Sequence, residues 1–136
     1  MICPFCHKEN KRTHYLFCNY KPKELNNKDA KFEYLKINFP DISNRDVLFF
    51  EYGRKYGYEF QHAENGGEYY IEHLGYFVDG YDIDNNVVIE YDEKYHFDIN
   101  GNLKDKDKLR QKEIIEYLKC KFIRINYKDE IYYEES

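Results

Sequence analysis

Apolar and polar positions follow one period in the first half of this chain and another in the second. In the stretch NNKDAKFEYLKINFP, Ala30, Phe32, Tyr34, Leu35 and Ile37 supply the apolar positions of a short helix, and Pro40 lies just past its end. DISNRDVLFFEYGRKYG predicts a second helix. Ser43, with Asp46 three residues on, is a capping-box-like start, and Gly57 is a stop. On that helix Val47, Phe50 and Arg54 share one face, as do Leu48, Tyr52 and Lys55. From residue 64 the pattern changes. ENGGEYYIEHLGY suggests a helix opening near Gly66 and Gly67 and closing at Gly75. YFVDGYDI reads as a strand, DNN as a tight turn and VVIEYDEKYHF as a second strand. The polar loop DINGNLKDKD precedes KLRQKEIIEYLKC, a helix with Leu109, Ile114, Ile115 and Leu118 inward. KFIRINY is a final strand, and the acidic tail KDEIYYEES is expected to pack loosely. The last helix serves as a right-handed crossover, which makes the fold α/β, a mixed sheet flanked by helices.

Composition narrows this picture. The chain has 136 residues at 16.8 kDa, enough for one compact domain and a small appendage. A core of this size buries about 65–70% of the unfolded surface, so disulfide staples are not required. Aromatics at 19% and a 42% apolar share argue against a disordered chain. No apolar run reaches the roughly 18 residues of a membrane span, and the N-terminus lacks a leader-like apolar stretch. The expectation is a cytoplasmic protein with no membrane partner. Abundant Lys, Asn, Ile and Tyr suggest an A/T-rich genome. The net charge of −5 is unevenly placed: residues 1–36 hold eight Lys/Arg against four Asp/Glu, and the remainder holds 13 against 22. A basic arm beside an acidic body suits phosphate contact by one part and metal binding by the other.

Cys3, Cys6 and Cys18 crowd the N-terminus, while Cys120 stands alone and is expected as a buried packing residue. Without a secretory signal, a disulfide framework is the poorer reading. CPFC is a tight knuckle that lets two thiolates face one point, and His14 and Cys18 extend it to Cys-x2-Cys-x7-His-x3-Cys. Three thiolates and one imidazole fill a tetrahedral Zn²⁺ shell, with His7 competing as the fourth ligand. A segment below about 40 residues needs such a metal to fold. The plainer alternative is free thiols in a frayed terminus. Lys8, Lys11, Arg12, Lys21 and Lys23 surround the motif and suit phosphates, or simply a solvated surface.

The remaining chemistry lies in residues 68–96. Side chains alternate along a strand, so Glu90, Asp92, Lys94 and His96 fall on one face and Val87, Ile89 and Tyr91 on the other. A hairpin centred on Asp84 and Asn85 brings Asp79 near Glu90, with Asp82 and Asp84 as turn residues. Glu68, upstream, is placed to cap the cluster. Carboxylates this close are costly without a cation, and their oxygens suit Mg²⁺ or Mn²⁺. Such an ion polarises a phosphate and eases proton loss from bound water. Lys94 or His96 would stabilise charge or move protons. Arg124, in an apolar strand, is placed to neutralise the carboxylates. The plain alternative is a solvated strand end.

The run FVDGYDIDNNVVIEYDEKYH followed by LRQKEIIEYLKCKFIRI resembles the PD-(D/E)XK nuclease superfamily. Within it, the resemblance is to the Vsr-like (very-short-patch-repair-like) branch and to phage homing endonucleases built on it. It covers about residues 64–127. Asp79 matches the first acid of that pattern, Glu90 and Asp92 its Glu-x-Asp pair, His96 its trailing His and Glu68 its upstream helix Glu. Arg110 and Arg124 match the later basic positions. The departure is Asp92 where a Lys is usual, which leaves Lys94 and His96 as alternatives for that role. The resemblance implies a restriction-endonuclease-like fold and Mg²⁺-dependent endonuclease action on DNA. Asp79, Glu90 and Asp92 would hold the metal, with Glu68, Lys94 and His96 beside them. It also implies a division into a zinc knuckle (1–25), a helical DNA-gripping adaptor (26–60) and a nuclease core (61–136). Lys8, Lys11, Arg12, Arg54, Arg110 and Arg124 would then contact DNA. One active site per chain implies a homodimer on DNA, or two sequential events, for a double-strand break. Two rivals stay open: a zinc-knuckle nucleic-acid-binding regulator with a catalytically inactive body, and a protein-interaction module. RNA is an alternative substrate.

Overall fold

The structure is a computed structural model describing residues 1–10 and 12–135, without the side chains of Arg12, Thr13 and Leu16. The chain divides into two compact units, Met1–Glu68 and Tyr69–Ser136. No helix is long and apolar enough to cross a membrane among the described residues.

The first unit opens on the knuckle. Ile2 and Glu9 bridge antiparallel, and the Cys3 N–H donates to the Lys8 carbonyl at 2.9 Å. The turn closes with His7 N–H on the Cys3 carbonyl at 2.9 Å, and His7 adopts a left-handed φ of 62°. Short 3-10 helices follow at Arg12–Phe17 and Lys23–Asn26. Helix α1 (Lys28–Asn38) begins where the Asn27 side chain accepts from the N–H groups of Asp29 and Ala30, satisfying two donors that a helix start leaves open. Helix α2 (Asn44–Tyr56) is capped by Ser43, whose Oγ accepts from Asp46 N–H at 3.3 Å, and it ends on left-handed Gly57. Both helices match the sequence pattern. Their seam is Phe32 stacked on Phe50, with centroids 5.0 Å apart, flanked by Leu25 and Leu35. Phe49 belongs to neither face expected from the sequence, yet it is fully buried, against Phe60 and His62. The chain turns back after α2 and lays residues 58–62 on the Phe49–Gly53 side. Gly53 permits this, because a Cβ there would lie 2.4 Å from the Tyr58 carbonyl oxygen. The unit continues through a two-residue strand, β1 (Gln61–His62).

The second unit begins with a hairpin where the sequence pattern suggested a helix. Strand β2 (Tyr69–Ile71) runs antiparallel to β3 (Tyr76–Val78), with Tyr70 opposite Phe77. Tyr-Tyr-Ile is strand material. Gly66 and Gly67 take φ near 90°, which the first turn of a helix excludes. The Leu74 and Gly75 N–H groups both donate to the Ile71 carbonyl and close the turn. The expected single strand YFVDGYDI is therefore two, β3 and β4 (Gly80–Asp82), with Asp79 at the break. Strand β4 pairs antiparallel with β5 (Val87–Asp92), Gly80 opposite Ile89, so the hairpin is centred where the sequence put it. Asp82 forms the turn, accepting from the Asn85 N–H and side-chain amide at 2.9 Å each. Strand β5 stops at Asp92, short of the expected end, and Lys94–His96 is a 3-10 turn. Helix α3 (Asp105–Leu118) then crosses to β6 (Lys121–Asn126), parallel to β5. The tail is not loose: β7 (Ile131–Glu135) pairs antiparallel with β6. The order β4-β5-β6-β7 makes a mixed sheet in a mixed α/β fold.

Helix α3 explains where charge gathers. In the parallel register Val88 faces Phe122 and Glu90 faces Arg124, so one sheet face is apolar at one end and charged at the other. The inward stripe of α3 matches it. Ile114 is fully buried in the cluster with Val88 and Phe122, with Ile115 and Leu118 packed beside it. One and two turns earlier, Arg110 and Asp107 lie over the charged end. Leu109, expected inward, is 58% exposed because that stripe excludes it. Cys120 is buried in the apolar cluster, and burial pushes its thiol up to about 11.

Candidate metal centre and acidic site

Two sites emerge, one in each unit. In the first, the candidate ligand atoms of Cys3, Cys6, His14 and Cys18 all lie within 4.8 Å of one another. Zinc–thiolate bonds of about 2.3 Å set tetrahedron edges of about 3.8 Å, so this spacing closes on a metal with small adjustment. His14 Nε2 is 3.5 Å from Cys6 Sγ, whereas His7, the competing fourth ligand, is exposed on the knuckle turn. Cys3 and Cys18 are buried with Tyr15, and none of the four cysteines is in a disulfide. Burial pushes the Cys3 thiol up, but hydrogen bonds from the N–H groups of Cys6 and Phe5 and from the Cys6 and Cys18 side chains together hold the group below its ordinary value. Three sulfurs, one imidazole and donated N–H bonds fit Zn²⁺.

The second site is the acid pair of Asp79 and Glu90. Because β3 breaks at Val78, Asp79 stands between two strands and meets β5 twice. Its N–H donates to Glu90 Oε2 at 3.2 Å, and its Oδ2 accepts from Tyr91 N–H at 2.8 Å. Glu90 is 4% exposed, and its other oxygen is held by Arg110 Nη1. Arg110 also bonds the Phe77 carbonyl and lies over the Tyr76 ring. Burial and the neighbouring Asp79 carboxylate push Glu90 up to about 8, and Arg110 only partly offsets this. Arg110, half-buried, pairs with Glu90, but its charge does not outweigh burial and the Asp79 carboxylate there.

Asp92 is not drawn into that pair. It is buried two residues along, with Arg124 Nη1 at 2.7 Å on one oxygen and the Tyr132 hydroxyl donating to the other. Arg124 is 2% exposed and also holds Gln111, so it neutralises a carboxylate and has no nucleic-acid-facing surface. Among the described residues, the Cys/His set is the group in which three or more candidate ligands converge; Asp79, Glu90 and Asp92 do not form a second. The one-face series is interrupted for the same reason that β5 is: past Asp92 the backbone turns. Lys94 is exposed on that turn. His96 Nδ1 meets Asp107 Oδ1 at 3.2 Å, at the start of α3.

Glu68 lies in the first unit, on no helix, with Arg45 Nη1 3.8 Å from its carboxylate. Arg54 pairs with Asp29 at 3.0 Å and Glu33 at 3.7 Å on the surface of α1. Lys8 is exposed at the knuckle, while Lys11 and the Arg12 side chain lie outside the described residues. Three partners escaped the sequence reading: Asp107, Tyr132 and the buried His62–Asp46 contact at 2.9 Å. Asp107 carried a signal, since it precedes Arg110 by one helical turn. Tyr132 carried none, because its role depends on the pairing of β7. No family model matches the chain, and neither a curated protein nor a solved structure matches it.

Proposed function

We propose that this protein is a metal-dependent DNA endonuclease of the PD-(D/E)XK kind, with a structural Zn²⁺ site at its N-terminus. The observation that carries the reading is the Asp79–Glu90 pair, two carboxylates held against each other at a strand break with Glu90 pushed up. The connectivity supports it as well: an antiparallel hairpin bearing the acids, then a helix crossing to a parallel strand. Asp79 and Glu90 would hold Mg²⁺ or Mn²⁺. The metal would supply charge for the scissile phosphate and a more acidic bound water. Arg110, already on Glu90, orients that carboxylate and adds positive charge beside it. Arg124 and Tyr132 fix Asp92 as a support for the end of β5. His96, oriented through Nδ1 by Asp107, presents Nε2 for proton transfer. Lys8, Lys21 and Lys23 of the basic arm would grip phosphates, with the chain bound to DNA as a homodimer for double-strand cutting.

The test is cleavage of supercoiled plasmid and mixed-sequence duplexes with Mg²⁺ or Mn²⁺ against EDTA, wild type beside Asp79→Asn and Glu90→Gln. Metal-dependent nicking by wild type alone is the expected result. Equal cutting by either variant with an unchanged circular-dichroism spectrum would refute the assignment. One observation favours a second reading, a zinc-knuckle DNA- or RNA-binding protein without catalysis: Glu90 and Asp92 already have internal arginine partners. That reading predicts salt-sensitive binding indifferent to divalent metal, and no Mg²⁺ heat in calorimetry.

A further inference from the structure

A cleft of about 580 Å³ opens in the second unit, with Lys94, Phe97, Ile99, Tyr127, Lys128 and Tyr132 among its lining. Three rings form one wall, with the Phe97 centroid 5.8 Å from Tyr127 and 5.6 Å from Tyr132. Both walls are held by hydrogen bonds. Asp98 Oδ1 accepts from the N–H groups of Asn100 and Asn102 at 2.9 Å each, and Phe97 bridges Leu103. Asn126 Oδ1 accepts from the N–H groups of Lys128 and Glu130 at 2.9 and 3.1 Å. On the first of these pinned loops Ile99 is 100% exposed, and Tyr127 is 40% exposed. Ile99 and the three rings together give the mouth of the cleft an apolar patch that a ligand would cover.

We infer that this cleft takes the base of an unpaired nucleotide. Two lysines and two carboxylates, Asp98 and Glu130, line the cleft, so it carries no net charge and the part of the ligand inside it is neutral. A flat heterocycle fits ring faces and does so with little regard to sequence. The exposed amines of Lys94 and Lys128 suit the phosphates on either side of it. The volume falls within the range of about 300–1,000 Å³ usual for small-ligand sites. The inference rests on the nucleic-acid reading and deepens it: the substrate carries at least one base out of its stack, as in a single strand, an end or a mismatch. Tyr132 belongs to this wall and also donates to Asp92, which ties the cleft to the buried charges of β5.

The test uses the full zinc-loaded chain without Mg²⁺ and a single strand of about eight nucleotides, fluorescein-labelled and carrying one 2-aminopurine. Anisotropy reads binding of the strand, and 2-aminopurine emission at saturation reads stacking of a base. Both are expected to change with wild type. Tyr127→Ala and Ile99→Ser are expected to abolish the emission change while anisotropy still saturates, and Tyr127→Phe to keep it. An emission change that survives Tyr127→Ala and Ile99→Ser overturns the cleft and leaves nucleic-acid binding standing. Absence of any anisotropy change, with single strand or duplex, overturns the nucleic-acid reading instead. Adenosine alone is then titrated into the ¹⁵N-labelled chain: amide shifts confined to residues 94–101 and 126–132 support the cleft, and their absence overturns it.

Discussion

The two units use buried charge in opposite senses. In the first, Asp46 is 2% exposed and meets the His62 ring, the Ser43 hydroxyl and Arg45. Burial pushes its carboxyl up, but the hydrogen bonds from His62 and Ser43 win and hold it below its ordinary value. In the second, Glu90 is equally buried, yet its neighbour is another carboxylate, and burial and Asp79 win over Arg110. Burial is common to both, so the partner decides the direction. One arrangement surrounds the carboxylate with groups that favour its charged form, and the other sets a second carboxylate beside it, which disfavours that form. The Cys/His cluster and the acid pair also differ in how they are assembled. The knuckle gathers its ligands from within 16 residues, whereas Asp79 and Glu90 meet only through a strand register.

The largest effect expected on this contrast is loss of zinc. Structural Zn²⁺ contributes roughly 10–16 kcal/mol of apparent binding energy in small finger-like segments. Cys18→Ser, or a strong chelator, should release one Zn²⁺ per chain and unfold the knuckle around Tyr15. Hydrogen exchange should show protection lost in residues 1–25 and kept in β5 and β6. Next is Arg124→Met, which strands Asp92 in the interior and should cost about 3–5 kcal/mol in urea denaturation. The double variant Asp92→Leu with Arg124→Met should recover most of it, because the pair itself is nearly neutral against apolar packing.

The pH dependence sharpens the comparison further. Glu90, raised from 4.5 to about 8, contributes stability that is fully present below about pH 4.5 and lost as pH rises through about 8. Asp46 is depressed, so its contribution is present above its ordinary pKa and lost as pH falls. The stability of wild type relative to Glu90→Gln should therefore fall from pH 5 to pH 8, and relative to Asp46→Asn it should fall on acidification. Thermal melts of the three proteins across pH read both slopes. Added Mg²⁺ should raise the melting temperature more at pH 8 than at pH 6 if Asp79 and Glu90 hold it, and a pH-independent Mg²⁺ effect would break that link. The smallest effect belongs to the surface: Arg54→Ala, which removes exposed pairs with Asp29 and Glu33, should cost less than about 1 kcal/mol.

Sequence alone determined what local chemistry controls. The Cys-x2-Cys-x7-His-x3-Cys spacing named four residues that converge, because so short a loop cannot carry them far apart. The cap Ser43 and the stop Gly57 bound the second helix, since a helix end must satisfy its open backbone groups nearby. The Asp84–Asn85 turn fixed the register that joins Asp79 to Glu90, because side chains alternate strictly along a strand. Tertiary structure decided the rest. The hairpin of residues 69–78 replaced a helix because Tyr70 has a cross-strand partner in Phe77 and two left-handed glycines precede it. Asp92 left the acid series because β7, which no local pattern announced, brings the Tyr132 hydroxyl to it while β6 supplies Arg124. Carboxylates identical in sequence pattern become a coupled pair or a neutralised support according to which distant chain lies against them, and only packing sets that.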